Sequence, residues 1–293
     1  MPTKSSRQSS GLKILQADNL HKISWLAHGF STRKGGFSQI YGEGALNLGF
    51  SKHDSRSSVE RNRAAFLKEL GANNKGRLWP LVTLRQVHSD LIHLVVSPPN
   101  PTLVGDGLIT ATPNLLLAIQ TADCLPIILV DPKRRAVGVF HAGWRGTLRR
   151  IVEKGVGEMQ RQFGTLAGDL KVAIGPGIHD CCCEVGPEVR DKFASQFSYA
   201  GELFHETKDS YPIHEKYPLP FLSARSPGHG DLPRRFFLDL VEANRRQLLA
   251  AGVSAKNIGA FPLCTSCRVD LLFSFRAEKG VTGRMMGAVG IRP

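Results

Sequence analysis

Short apolar runs broken by turn residues recur along the chain, interleaved with a few longer stretches in which apolar positions return every three or four residues. Strand-length runs fall at residues 24–30, 81–87, 91–96, 107–110, 115–120, 127–130, 136–140, 171–174 and 254–261. Helical spacing marks residues 58–70, with apolar positions Val59, Ala64, Phe66, Leu67 and Leu70. It marks residues 148–163 as well, with Thr147 as the expected cap and Ile151, Val152, Val156 and Met159 turned to one side. A third helix is expected over 239–251, closed by Gly252, and a shorter one begins near Pro187. Hairpins and crossovers together predict an α+β fold in layers rather than a doubly wound sheet. The reading is one domain over residues 13–293, a disordered basic tail over 1–12, and a long polar excursion over 212–233.

Composition narrows the class. A chain of 293 residues, 42% hydrophobic, can bury a substantial core. No run approaches the roughly 18 apolar residues of a membrane span, and the N-terminus lacks the apolar segment of a secretory signal. The expected location is cytoplasmic, with no membrane partner. A net charge of +13 draws phosphates, nucleotides or nucleic acid, unless it is only a solvated basic surface. No RNA-binding motif and no aromatic-basic interleaving accompany the charge, so a nucleic-acid module ranks low. Six cysteines in a chain this long fit reduced thiols with metal or catalytic roles. Cys181, Cys182 and Cys183 cannot all serve one purpose. Cys264 and Cys267 have the spacing of half a zinc ribbon or a redox pair, but no second pair stands at ribbon distance, which favours structural or substrate-lining roles.

Candidate chemistry starts at Cys124 and His141, which flank an apolar segment turning at Asp131-Pro132-Lys133-Arg134. A hairpin centred on Pro132-Lys133 sets the two residues directly opposite, with Cβ atoms about 4.5–5.5 Å apart. That spacing suits a thiolate and an imidazole reaching one ion at about 2.3 and about 2.0 Å. His88, between two apolar runs, is the candidate third ligand, although ten histidines are present and spacing alone does not select it. After His141, Gly143-Trp144-Arg145-Gly146-Thr147 leads from strand to helix. Backbone N–H groups there, with Arg145, can hold an anion; the alternative is an ordinary βα turn. Arg33, in the Gly-rich Thr32-Arg33-Lys34-Gly35-Gly36, is a weaker candidate for the same task. Asp123 and Glu184 are candidates for proton transfer; alternatively Asp123 orients a ligand and Glu184 caps the helix near Pro187.

Thr121-Ala122-Asp123-Cys124-Leu125-Pro126-Ile127, His141-Ala142-Gly143-Trp144-Arg145-Gly146 and Gln86-Val87-His88-Ser89 together resemble the YfiH family, also called the laccase-domain or polyphenol oxidase family. His28-Gly29-Phe30-Ser31-Thr32-Arg33, Gly175-Pro176, Leu238-Asp239-Leu240, Phe273-Ser274-Phe275-Arg276 and Thr282-Gly283-Arg284 extend the resemblance over nearly the whole chain. Cys183 departs from it, since an aromatic usually follows the paired cysteines. The resemblance implies a layered α/β/β/α sandwich and a metal held by His88, Cys124 and His141. Three protein ligands and an open position describe a catalytic Zn2+ site. Cu2+ ranks below, because a blue-copper centre wants a weak axial Met, with only Met285 and Met286 available by type, and a multicopper laccase wants clustered histidines. The implied activity is phosphorolysis of adenosine, inosine, guanosine and methylthioadenosine to the base and (methylthio)ribose 1-phosphate, with deamination of adenosine. Purine nucleosides and phosphate are then the small-molecule partners. The usual zinc-deaminase signature is incomplete here, so deamination would run on a different fold. Rival readings are copper-dependent phenol oxidation, a hydrolase of cell-wall precursors using Cys124 as nucleophile beside a histidine, and the RNA-binding module.

Overall fold

The computed structural model describes residues 11–208 and 234–293, so the first ten residues of the expected tail and the excursion at 212–233 lie outside the described residues. The chain divides into two compact units, residues 1–178 with 240–293 and residues 179–239. The larger unit is built around two sheets whose inner strands are covered on both faces. The first runs β1 (Ile14–Leu15), β2 (Leu26–Ser31), β17 (Met285–Ile291), β9 (Leu116–Thr121), β6 (Leu81–Val82), with only the β6–β9 pair parallel. The second runs β16 (Ile258–Ala260), β12 (Lys171–Ile174), β10 (Leu125–Asp131), β11 (Ala136–Ala142), β8 (Gly107–Thr110), β7 (Ile92–Leu94), parallel at its two ends and antiparallel between. Two short strands, β4 (Asn73–Asn74) and β5 (Arg77–Leu78), form a separate ribbon, and β3 (Lys34–Ser38) bridges to Ala45.

Side-chain alternation explains the layering. Leu26, Phe30, Leu117, Ile119, Val289 and Ile291 of the first sheet meet Leu108, Ile128, Val130, Val137, Val139 and Ala173 of the second. The opposite face of the first sheet, with Leu116, Ala118, Met286 and Ala288, is covered by Phe66 and Leu67 of α1 (Arg56–Glu69). Ser55 caps α1 by accepting from Ser58 N at 3.1 Å. The outer face of the second sheet carries α3 (Ile151–Phe163), joined by α5 (Leu240–Ala250). Asn244 Nδ2 and Gln247 Nε2 of α5 donate to the hydroxyl and carbonyl of Thr147, at 2.9 and 2.8 Å. The α/β/β/α order implied by the resemblance is present, each fully buried large apolar side chain contributing about 1.5–3 kcal/mol of transfer free energy.

Several expectations need correction. Residues 81–87 yield only the two-residue β6, and residues 254–261 begin as a 3-10 turn before β16. Thr147 lies inside α2 (Trp144–Leu148), a five-residue helix, and is no cap. Arg150, in the left-handed region at φ 61°, separates α2 from α3, so the expected single helix is two. β17 was not anticipated, yet it is the central strand of the first sheet.

The smaller unit holds an antiparallel sheet in the order β13 (Glu184–Val185), β15 (Arg234–Leu238), β14 (Phe204–Lys208), and α4 (Pro187–Ala194). Phe193 meets Phe204 edge-on at 5.7 Å and Phe197 at 5.5 Å. No helix among the described residues is long and apolar enough to cross a membrane.

Two glycines of α3 give a test of this packing. A Cβ on Gly155 would lie 2.6 Å from the Phe140 ring, whereas one on Gly157 meets nothing within 4 Å. Gly157→Ala is expected to stabilise by up to about 1 kcal/mol through helix propensity, and Gly155→Ala to destabilise by about 1–3 kcal/mol through overpacking. Urea unfolding of both variants checks the opposite signs.

Candidate metal centre

Hairpin β10–β11 forms as expected but in a different register. Leu125 pairs with Ala142 and Pro126 with His141, so continuation of the ladder brings Cys124 opposite Gly143. The midpoint lies between Lys133 and Arg134, one residue later than the expected turn. The two candidate ligands are diagonal neighbours, and the missing side chain at position 143 makes the diagonal work. A Cβ there would sit 2.7 Å from Cys124 Sγ and 3.4 Å from His88 Cδ2. Ligand atoms of His88, Cys124 and His141 all lie within 4.8 Å of one another. Cys124 Sγ is 3.9 Å from His88 Nε2, and the two imidazoles meet edge-to-face at 4.8 Å. His141 is buried, Cys124 half-buried and His88 exposed, which leaves the trio open on the His88 side.

Asp106, at the mouth of β8, holds this arrangement, and sequence reasoning missed it. It is fully buried. Oδ1 accepts from His141 Nδ1 at 2.8 Å and from His88 N at 3.1 Å. Oδ2 accepts from Ser89 N at 2.6 Å, Ser89 Oγ at 2.7 Å and Val87 N at 3.3 Å. One carboxylate therefore orients the His141 ring and grips the backbone that presents His88. His88 sits at φ 57°, a conformation that side chains adopt at a cost and keep when neighbours fix it. A carboxylate behind a ligating histidine is the usual partner of its second ring nitrogen. The available signal was Gly105-Asp106-Gly107, an acid between two glycines at the start of an apolar strand. Gln86 was missed too. Its Nε2 donates to the Gln120 carbonyl at 2.8 Å and its Oε1 accepts from Gln120 N at 2.7 Å, tying the His88 segment to the end of β9.

Electrostatics follow from burial and these contacts. Burial pushes the Cys124 thiol up, but the His141 and His88 imidazoles outweigh it and bring it down to about 6. Burial pushes His141 down, but the Cys124 thiolate and Asp106 raise it to about 9. Burial also pushes Asp106 up, and the His141 ring with the Ser89 hydroxyl and amide overcomes it, holding the carboxyl well below the usual range. These shifts favour a thiolate beside an imidazolium, anchored on a carboxylate. The donor set of two imidazoles and one thiolate, each deprotonated on binding, fits a zinc ion.

The remaining candidates divide. Gly146 lies under the site, where a Cβ would come 3.2 Å from the His141 carbonyl. Arg145 is exposed and stacks on Trp144 at 4.2 Å. Only five residues of aligned peptide dipole stand behind it, less than the long helix expected. Arg149, not anticipated, donates to the His88 carbonyl at 3.1 Å. Arg33 is committed elsewhere, donating to the carbonyls of Val269 and Tyr41 at 2.6 and 2.7 Å, pairing with Glu278 at 3.1 Å and lying over Phe273. Asp123, at φ 95°, accepts from Thr265 Oγ1, Ser274 Oγ and Arg276 N, each at 2.7 Å. That network fixes the residue next to Cys124, in keeping with the orienting alternative. Glu184 belongs to the smaller unit and pairs with Arg235 through both oxygens; Gly186, not Glu184, is the cap of α4. Met285 and Met286 are packed in apolar clusters, with Tyr41 and Phe273 and with Phe66 and Leu116 respectively.

Comparison with known proteins gives the family of the chain. The chain is 36% identical over 277 residues to the purine nucleoside phosphorylase YlmD of Geobacillus stearothermophilus, covering 90% of this chain and 89% of the relative. It is 33% identical over 259 residues to the adenosine deaminase RL5 of an unknown prokaryote, covering 84% and 87%. The crystal structure of the hypothetical protein YfiH of Bacillus licheniformis superposes with a TM-score of 0.78 at 30% identity, over 97% of this chain and 98% of that one. The model of the multi-copper polyphenol oxidoreductase laccase family matches residues 27–292, and the chain belongs to that family, as its YfiH-type motifs imply.

Proposed function

We propose that this enzyme is a zinc-dependent purine nucleoside phosphorylase that also deaminates adenosine. The observation that carries the reading is the open trio of His88, Cys124 and His141, anchored by Asp106. The names of the relatives supply the substrate class. His88 Nε2, Cys124 Sγ and His141 Nε2 would hold the ion, since His141 Nδ1 is engaged by Asp106. When bound, zinc supplies Lewis acidity at the open position. Zinc is preferred to copper because the two methionines available as axial ligands are spent on core packing.

The chain's own groups then position and polarise. Asp106 keeps the His141 ring in one tautomer and, through the amides of residues 87–89, aims His88. Gly143 and Gly146 keep the floor clear of side chains. Arg145 and Arg149 place positive charge on the exposed side. In phosphorolysis a phosphate oxygen bonds to C1′ as the C1′–N9 bond breaks, its electron pair going to N9 and the proton of hydrogen phosphate ending there. In deamination a water oxygen bonds to C6 while N6 leaves as ammonia, one water proton going to N6 and the other to N1. Adenosine, inosine, guanosine and methylthioadenosine share the reacting C1′–N9 unit.

Incubation of the zinc-loaded protein with adenosine, with and without phosphate, is expected to yield adenine only with phosphate and inosine in both cases. His88→Ala and Cys124→Ala should each lower both rates by about a hundredfold or more, as loss of a chemistry-bearing group does. Absence of adenine, inosine and hypoxanthine from the wild type would sink the proposal. Asp106→Asn preserves shape but loses the charge behind His141. Its zinc affinity, read by competition with a chromophoric chelator, should fall about 10–100-fold; unchanged affinity would mean that Asp106 does not tune the site.

A further inference from the structure

Beside the end of β9 the larger unit opens a cleft of about 210 Å3, lined by Tyr41, Asn47, Ser51, His53, Gln120 and Arg284, with Phe50 at its rim. None of the three metal-site residues lines it, and neither does any carboxylate. Asn47 is a scaffold: its side chain bonds Gly49, Asp54 and the Arg284 amide. The Arg284 guanidinium lies over Phe275 at 5.7 Å and is hydrogen-bonded at one end only. Nη1 donates to the carbonyls of Thr282 and Gly283 at 3.1 and 3.0 Å, leaving the Nε–Nη2 edge without an acceptor among the described residues. That edge is the fork that guanidinium presents side-on to two oxygens of a phosphate or carboxylate. The Gln120 amide and the His53 ring are likewise without a side-chain partner among the described residues. Tyr41 and Ser51 offer a hydroxyl pair 3.0 Å apart. Arg63 lies over Phe50 at 4.2 Å at the rim, beside Arg56, which is itself paired with Glu60.

Gly49 gives a reason to regard the cleft as built. A Cβ there would lie 2.7 Å from Arg284 Cγ and 2.8 Å from Gln120 Oε1, so the two groups fold across the glycine together. The cleft is also tied to the metal centre. Gln120 precedes Cys124 by four residues, at most about 14 Å of extended chain. Gln86, two residues before His88, is bonded to both backbone groups of Gln120. At about 210 Å3 the cleft is smaller than the roughly 300–1,000 Å3 of sites that take a whole drug-sized ligand. It suits one half of a larger substrate.

We propose that this cleft is the sugar-phosphate half of the substrate site. Orthophosphate is taken on the Nε–Nη2 edge of Arg284, and the ribosyl group lies toward Tyr41, Ser51 and Gln120. The inference rests on the phosphorolysis reading and gives it a second locus: the base end of a nucleoside faces the metal centre while C1′ faces the cleft. Deamination at C6 and phosphorolysis at C1′ then use different groups of one bipartite site.

The test is isothermal titration of the zinc-loaded protein with inorganic phosphate, together with the adenine-to-inosine product ratio from adenosine at fixed phosphate. Arg284→Gln is expected to weaken phosphate binding at least about tenfold, the worth of a charge-assisted hydrogen bond, and to lower the adenine-to-inosine ratio by a similar factor. Arg284→Lys keeps the charge without the fork and should fall between; it also serves if the glutamine variant does not fold. Phosphate binding and product ratio within about twofold of wild type in the folded variant overturn the proposal. Phosphate binding that depends on Arg284 in a protein that turns over no purine nucleoside would uphold the cleft as a phosphate site and remove the phosphorolysis reading.

Discussion

Asp106 meets five donors from two separate stretches of chain: three amides and a hydroxyl of residues 87–89, and the Nδ1 of His141. Burying an ionised carboxylate is costly unless its lone pairs are answered, and here they are. The compensation cannot be separated from the geometry it imposes. A backbone gripped at three consecutive amides cannot slide, so His88 is presented at one depth in a left-handed conformation. An imidazole bonded at Nδ1 cannot turn, so the other nitrogen of His141 faces Cys124. The hairpin supplies two candidate ligands; this carboxylate groups them with a third.

The sheets serve that same end. β10 and β11 are covered on both faces, by the first sheet within and by α3 without, which leaves little freedom for register to slip. Gly143 then decides how close Cys124 comes to the histidines, because any side chain at that position would occupy the space of the sulfur. Charge runs through the same contacts. The thiol is brought down and the imidazole is brought up by each other, with Asp106 supporting the imidazolium. Zinc would replace the shared proton, so the polarity that stabilises the thiolate–imidazolium pair is the polarity that would favour the proposed ion.

Much of this was legible in the sequence. Runs that alternate or stay apolar over four to seven residues gave β2, β8, β9, β10, β11 and β12, because strands with covered faces have little choice but to be apolar. What escaped has identifiable causes. β17 reads Met-Met-Gly-Ala-Val-Gly-Ile, poor in branched residues and with two glycines, which local propensity marks as weak. Its glycines answer to tertiary crowding, since a Cβ on Gly287 would strike Pro126 and one on Gly290 the Leu115 carbonyl. The hairpin register slipped by one residue because Arg135, at φ 50°, belongs to the turn and moves its centre. Asp106 has no spacing relation to the ligands; only the pairing of β8 with β11 brings it beneath His141. Arg33 looked like an anion binder by type, but long-range partners at Val269 and Glu278 had already claimed it.

The central claim is that His88, Cys124 and His141 hold one zinc ion through an arrangement that Asp106 fixes. X-ray absorption at the zinc edge, on protein loaded with one equivalent, addresses it directly. The account predicts one sulfur near 2.3 Å and two imidazole nitrogens near 2.0 Å, about the distances of such bonds, with the sulfur lost in Cys124→Ala. A spectrum without sulfur, or one that Cys124→Ala leaves unchanged, would contradict it.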